Sequence, residues 1–429
     1  MTSYNSVSNG SKREQIYKCG WLWQTGYYAK TKQKGGRGMR EGWEYKKLGE
    51  LVQVLNGYAF KSSLYENQGI RVLRITNVQK GNIVDDDPKY YPLSLTDEIR
   101  NYLLKESDLL MSLTGNVGRV GLLTKEMLPA ALNQRVACLR ILSNGLNLGF
   151  LFHYLNSDKF EQDAVLSAKG IAQKNMSTEW LKDYKLPLPP ISVQQSIVSE
   201  LDKINELIRL KKEQLKDYDN LAQSIFYEMF GDPVVNEKGW EVKKLREVCE
   251  CITDGDHMPP PKSDKGVPFV TIGNINKETR QIEFDKTFFV PKDYFDNIPY
   301  TKKPKQGDIL YTVTGSYGIP ILISFDKEFC FQRHIGLLRP NGLVNSIYLY
   351  MWASNKSVKG QADVVATGIA QKTVSLNSLR GFNITLPPLP LQQLFAQRIE
   401  LIEKQKAEIK STIAALETLH ASRMQYWFD

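Results

Sequence analysis

The sequence predicts an α+β protein made of two tandem copies of one unit, each a mixed globular domain followed by a long helix, with the two helices pairing as an antiparallel coiled coil about a pseudo-two-fold axis. Three observations predict it. Landmark residues recur at an offset near 198; each copy opens with short apolar runs of strand character; and each copy closes with a proline block followed by an apolar stripe at helical spacing.

The repeat constrains architecture before any motif does. Gly42-Trp43-Glu44-Tyr45-Lys46-Lys47-Leu48 returns as Gly239-Trp240-Glu241-Val242-Lys243-Lys244-Leu245. Ile75-Thr76-Asn77-Val78 matches Ile272-Gly273-Asn274-Ile275, and Asp108-Leu109-Leu110 matches Asp308-Ile309-Leu310. Thr114-Gly115-Asn116-Val117-Gly118 matches Thr314-Gly315-Ser316-Tyr317-Gly318, and Gln134-Arg135 matches Gln332-Arg333. The longest identity is Gly170-Ile171-Ala172-Gln173-Lys174 with Gly368-Ile369-Ala370-Gln371-Lys372.

In the first copy, residues 70–78, 109–113, 117–123 and 136–142 read as strands, with Gly115 and Gly118 turning one strand into the next. A helix follows in each copy, because Phe150, Leu151, Tyr154 and Leu155, and likewise Tyr348, Leu349, Trp352 and Ala353, repeat at helical spacing. Then come Leu186-Pro187-Leu188-Pro189-Pro190 and Leu386-Pro387-Pro388-Leu389-Pro390, which impose an extended entry. Ser192-Val193-Gln194-Gln195 has the spacing of a capping box, with Pro390 in place of Ser192 in the second copy.

Both closing segments carry a four-three stripe. The first runs Ile197, Leu201, Ile204, Ile208, Lys211, Leu215, Tyr218, Ala222, Ile225 and Met229; the second runs Phe395, Ile399, Ile402, Lys406, Ile409, Ile413, Leu416, His420, Arg423 and Trp427. The second turns polar towards its end, which suggests that this end meets another protein. About 38 residues at 1.5 Å make each helix on the order of 57 Å long. Connectivity then places the globular units at opposite ends of an antiparallel helix pair. The expected boundaries are a first domain at 42–190, a central helix at 191–231, a second domain at 232–388 and a C-terminal helix at 389–429.

The formal net charge is +9, but residues 1–41 hold eight Lys/Arg against two Glu, so the repeated body is close to neutral. That first segment has no counterpart in the second copy. It is expected to be a basic extension, disordered or foreign to the native protein, with Met39 a natural start. No run of eighteen apolar residues and no secretory signal is present, so a cytoplasmic protein is expected. Cys19, Cys138, Cys249, Cys251 and Cys330 are scattered and odd in number, and Cys249-Glu250-Cys251 reads as strand and not as a metal site.

A globular domain, Pro-Pro-x-x-x-Gln-Gln, a long helix, and then the same again resembles the specificity (S) subunit of type I restriction-modification enzymes over residues 42–429. The resemblance implies two target recognition domains, each reading half of a split DNA site, with helices that act as spacers and docking surfaces. Its implied partners are double-stranded DNA, two methyltransferase (M) subunits and, in a restricting complex, restriction (R) subunits; cofactors are none. The chain carries no Walker loop, no Asn/Asp-Pro-Pro-aromatic methylation motif and no His-Glu-x-x-His, so no catalytic residue is assigned. Glu283-Phe284-Asp285-Lys286 mimics a nuclease tail but reads as a solvated turn. The alternative reading is a coiled-coil assembly scaffold without DNA recognition.

Side chains suited to DNA are Arg71, Arg74, Asn77, Lys80, Asn116, Arg119, Gln134 and Arg135 in the first domain, and Lys262, Lys265, Asn274, Arg280, Ser316, Tyr317, Gln332 and Arg333 in the second. Asn77/Asn274 and Gln134-Arg135/Gln332-Arg333 recur, which favours a shared scaffold role for them. Residues that differ between copies, such as Arg119 against Ile319, better fit base reading. Gln173-Lys174 and Gln371-Lys372 are assigned to domain-to-helix or partner contacts.

Overall fold

A computed structural model describes residues 40–168, 174–368 and 371–428; the expected N-terminal extension lies outside them except for its last two residues. Each copy closes on itself. Strand Glu44–Lys47 pairs antiparallel with Lys185–Leu188, and Glu241–Lys244 with Asn383–Leu386, so the proline block is a strand that ties the end of the domain to its beginning.

Between these clasps lie two larger sheets and a two-stranded ribbon, Val78–Gln79 with Asn82–Ile83 and, in the second copy, Ile275–Asn276 with Gln281–Ile282. A four-stranded antiparallel sheet runs in spatial order Val52–Asn56, Val136–Ile141, Leu109–Ser112, Val120–Leu122, and its counterpart runs Cys249–Asp254, Ile335–Pro340, Ile309–Thr312, Pro320–Leu322. Cys249 and Cys251 are thus strand residues. A three-stranded sheet is centred on Ile70–Leu73, with Tyr90–Tyr91 antiparallel on one side and Ala130–Leu132 parallel on the other. Val267–Val270 is flanked in the same way by Phe288–Val290 and Cys330–Phe331.

The expected strand at residues 70–78 is therefore two pieces. It breaks after Leu73 because Asn77 Oδ1 accepts the Arg74 amide at 2.9 Å and its Nδ2 donates to the Val84 carbonyl at 2.8 Å, folding a turn. The strand expected at 117–123 is shortened to Val120–Leu122, since Gly115 and Gly118 hold φ of +75° and +80°, where a side chain is strained. The short helices Leu148–Leu155 and Ser346–Ala353 are capped by Asn147 and Asn345, and bury the apolar residues that the spacing singled out.

The long helices are Ile191–Phe230 and Leu389–Phe428, 40 residues each, or roughly 60 Å at 1.5 Å per residue. They pack antiparallel. Ile204 and Ile208 meet Ile409 and Ile413 in the middle, with Leu215, Tyr218 and Leu416 against them. Lys406 sits in the seam and pairs with Asp219 at 2.7 Å, and Lys212 crosses to Glu417 at 2.8 Å.

At the ends the stripes leave each other and enter the domain cores. Ile197 and Leu201 join the first core together with Phe428; Ala222, Phe226 and Phe230 join the second together with Phe395, Ile399 and Ile402, while Ile225 packs at its edge. Each domain thus grips the start of one helix and the end of the other.

Two expectations about the helices need correction. Ser192 does not cap: the cap residue is Pro190 with no side-chain bond, and Gln194 instead turns inward. The polar end of the second helix is not left for another protein either. Phe428 packs edge-on against Phe150 and Tyr154, Trp427 Nε1 donates to Glu200 at 3.0 Å, and Arg423 pairs with Glu200. Arg423 and Trp427 thus face a partner on the first long helix.

Candidate nucleic-acid interface

Four loops of the first domain are stitched side by side by backbone hydrogen bonds. The Gln134 amide donates to Tyr58 O at 2.9 Å, Leu113 N to Arg135 O at 3.0 Å, Gly115 N to Lys174 O at 2.9 Å and Met176 N to Leu113 O at 2.9 Å. These bonds make one continuous rim from residue 57 through 133–135 and 113–119 to 174–176. The second domain repeats it, with Arg333 N on Asp256 O at 3.1 Å, Val313 N on His334 O at 3.0 Å, Gly315 N on Lys372 O at 2.9 Å and Val374 N on Val313 O at 2.8 Å.

Glycine is required where the rim is tightest. A Cβ on Gly57 would lie 2.2 Å from Asn133 O, and one on Gly255 would lie 1.8 Å from Phe331 O. Backbone contacts of this kind hold a loop rigidly.

The rim exposes Asn116, Gln134, Arg135 and Lys174 in the first domain, and Arg333, Gln371 and Lys372 in the second, with Ser316, Tyr317, Gln332 and His334 half-buried beside them. Arg135 and Arg333 are charged, exposed and outside any ion pair of the described residues, which leaves their guanidinium donors available. Tyr317 is held by a 2.8 Å bond from its hydroxyl to Asp363. Burial, and then the neighbouring Arg333, hold the His334 imidazole below the ordinary histidine range, and the Gln332 carboxamide bonds its Nδ1.

The other sequence-selected residues are placed elsewhere or are engaged within the fold. Asn77 and Asn274 are 3% and 6% exposed and hold equivalent turns, Asn274 Oδ1 accepting the Thr271 amide at 2.8 Å. Arg71 pairs with Asp85 at 2.6 Å and stacks on Tyr90, and Arg74 donates to the Asp87 carbonyl at 2.6 Å. Lys80 reaches Asp158 and Glu161 on the helix Asp158–Ser167. Arg119 donates to Gln79 at 2.7 Å. Lys262 and Lys265 are exposed on the proline-rich loop, Lys262 over the Phe288 ring, and Arg280 sits at φ +53° at the tip of a two-stranded ribbon.

Two features of the rim escaped the sequence. The carbonyls of Lys174 and Lys372 bond to the glycine loop, so this segment belongs to the rim of its own domain, while Gln173 lies outside the described residues. More consequential is a register slip. Strand pairing aligns Val136 with Ser112 in one copy and Ile335 with Thr312 in the other, so the structural counterpart of Gln134-Arg135 is Arg333-His334. The identical dipeptides Gln134-Arg135 and Gln332-Arg333 stand one residue out of step.

Among the described residues no helix is long and apolar enough to cross a membrane. A family model described as the type I restriction modification DNA specificity domain matches residues 40–217 and again 237–418. The chain is 33% identical over 168 residues to the type I restriction enzyme EcoAI specificity subunit of Escherichia coli, which is 38% of this chain but only 28% of that protein. It is 22% identical to the EcoBI specificity subunit of the same organism, over 84% of this chain and 79% of the relative. It is 23% identical to the putative MjaX specificity subunit of Methanocaldococcus jannaschii, over 85% and 87%. In fold it is similar to the S subunit of a type I restriction-modification system from M. genitalium, with a TM-score of 0.52 at 14% identity over 92% of this chain and 98% of that one. It is likewise similar to a chain of a solved type I R-M system, with a TM-score of 0.57 at 19% identity over 92% and 99%.

Proposed function

The chain belongs to the type I restriction-modification DNA specificity family, and from that premise we propose that it is the non-catalytic subunit that reads DNA sequence for a type I complex. One observation carries the reading: two copies of one domain, each with a stitched and partly basic loop rim, are held at opposite ends of a paired 40-residue helix strut. The copies differ in the side chains they present, so the target is split and asymmetric. Two readers on one duplex fit half-site centres about one helical turn, roughly 10 base pairs, apart. A scaffold that only assembles proteins has no need of such rims.

The pseudo-two-fold repeat offers two near-equivalent docking surfaces, which supports two methyltransferase subunits per chain, with restriction subunits joining where the system cuts. The rim residues Asn116, Gln134, Arg135, Ser316, Tyr317, Gln332 and Arg333 are the proposed DNA contacts. Sequencing of methylated bases in cells that express the chain with its adenine methyltransferase tests the reading: one bipartite motif is expected. Methylation without a motif, or methyl transfer by the pure chain alone, overturns it.

A further inference from the structure

The one-residue slip in the rim separates side chains that the two domains share from side chains that they do not. Lys174 and Lys372 are shared: both are exposed, and both offer their carbonyl at 2.9 Å to the first glycine of the Thr-Gly loop. The turn before the strands Val136–Ile141 and Ile335–Pro340 is not shared. Its backbone is the same in both domains, since Val136 N donates to Asn133 O at 2.9 Å and Ile335 N to Gln332 O at 3.1 Å, yet the first domain presents Gln134 and Arg135 where the second presents Arg333 and His334. Conserved backbone under changed side chains is what two readers of different half-sites require. Identical residues at matching places suit contacts that all DNA offers alike, the phosphates.

We infer that the rim divides its labour: Gln134-Arg135 and Arg333-His334 read bases, and Lys174 and Lys372 clamp the flanking phosphates. The assignment rests on the DNA-reading function proposed above. Its chemistry is specific. A glutamine carboxamide matches the N6 and N7 edge of adenine, and an arginine fork matches O6 and N7 of guanine, so the two turns carry different preferences. The Gln332 carboxamide lies against His334 Nδ1; with its N–H donating there, the imidazole carries its proton on Nε2 and offers a single donor to a guanine or adenine acceptor. Both turns carry one arginine, but at different steps, so guanine is expected at different positions in the two half-sites.

The test uses the full chain expressed with its methyltransferase. Exchanging the turn residues, Gln134→Arg with Arg135→His, alters only exposed side chains and is expected to change the half-site read by the first domain at one or two positions. The other half-site and the gap should stay fixed, and binding to the original site should fall roughly 10- to 100-fold. The reciprocal pair, Arg333→Gln with His334→Arg, should alter only the other half-site. Lys174→Ala and Lys372→Ala should each weaken binding equally for all sequences and lower the slope of log affinity against log salt by about 0.9, with the motif unchanged.

A folded exchange variant that keeps the original motif, or that loses specific and nonspecific binding alike, overturns the inference, as does a lysine variant with a new motif. A wild-type chain that directs no motif at all instead sinks the DNA-reading function itself.

Discussion

Gln392, wholly buried in the first turn of the second long helix, accepts a hydrogen bond at 2.8 Å from the backbone amide of Asn345, the residue whose side chain caps the domain's own short helix. It also donates to the Pro387 carbonyl at 2.8 Å. Gln194 makes the same joint in the first copy, taking the Asn147 amide and giving to Pro189 O and Gly145 O, each at 2.8 Å. One carboxamide thus fixes the strut, the extended entry and the domain in a single geometry.

Gln194→Leu and Gln392→Leu keep the volume of this joint but strand a buried proline carbonyl, a part-buried carbonyl (Gly145 or Leu343) and an amide. Each should cost about 1–3 kcal/mol of stability per unsatisfied group. Because the joint sets domain orientation, each should also weaken site binding by more than it weakens nonspecific binding. Chemical denaturation together with titration of the site measures both. Equal losses on site and random duplex would show that the joint supports folding but not alignment.

A second buried polar feature recurs in the sheets. Arg339 grips Asp308 with two bonds of 3.0 and 2.8 Å, the pair being only 5% and 4% exposed, and Arg140 grips Asp108 at 2.8 and 2.7 Å with its arginine more open to water. Removing one member of a buried pair leaves a charge without compensation, so Asp308→Asn should cost about 3–5 kcal/mol. Asp108→Asn should cost less, because Arg140 keeps solvent. Replacing both Asp308 and Arg339 with apolar residues should recover much of the loss, and thermal melts of the three variants decide it.

The first domain's junction with the helices is also expected to be acid-sensitive. His153 is buried with Nε2 at 2.7 Å from Asp202, and burial holds its pKa below the ordinary 6.5. Burial, and then the nearby His153, lower His420 as well, and its Nε2 has no hydrogen-bond partner. The unfolded chain therefore binds more protons, so stability is full above about pH 6.5 and falls as the pH drops through that value towards the folded pKa. The matching positions at the other end are Met351 and Ala222, which do not titrate. Hydrogen exchange at pH 5 should expose helix Leu148–Leu155 before Ser346–Ala353, and His420→Met should reduce the pH dependence. Equal loss of protection at both ends would remove the histidines as its cause.

The architecture was legible because a repeat that keeps phase for most of the chain gives element order, element type and the antiparallel return of the helices together. What failed was local. Gln195 at the third position after Ser192 has the form of a capping box, and only the fold shows that Pro190 is the cap residue and that Gln194 turns inward to Gly145 and Pro189. Arg423 and Trp427 read as fraying of an apolar stripe because their partner Glu200 lies 223 and 227 residues away. The identity of Gln134-Arg135 with Gln332-Arg333 concealed the slip, since a residue fewer between Asn341 and Asn345 than between Leu142 and Asn147 restores the offset downstream. Even so, the pairing of Asp108 with Asp308 and of Arg140 with Arg339 was there to find.

The helix pair should set the gap between half-sites. Inserting one heptad after Lys211 and another after Ile409 places both insertions at nearly the same level of the antiparallel pair, beside Ile208 and Ile413, and preserves the four-three stripe. The domains then move apart by roughly 10 Å at 1.5 Å per residue, equal to about three base pairs at 3.4 Å. Three pairs also rotate one half-site by about a quarter-turn, so the duplex must twist or bend to meet both rims and affinity should fall. The motif in methylated DNA should keep both half-sequences and gain about three pairs of gap. The joints of Gln194 and Gln392 lie outside the insertions, so the domains travel as units. An unchanged gap, or altered half-sequences at the old gap, would show that something other than these helices measures the distance.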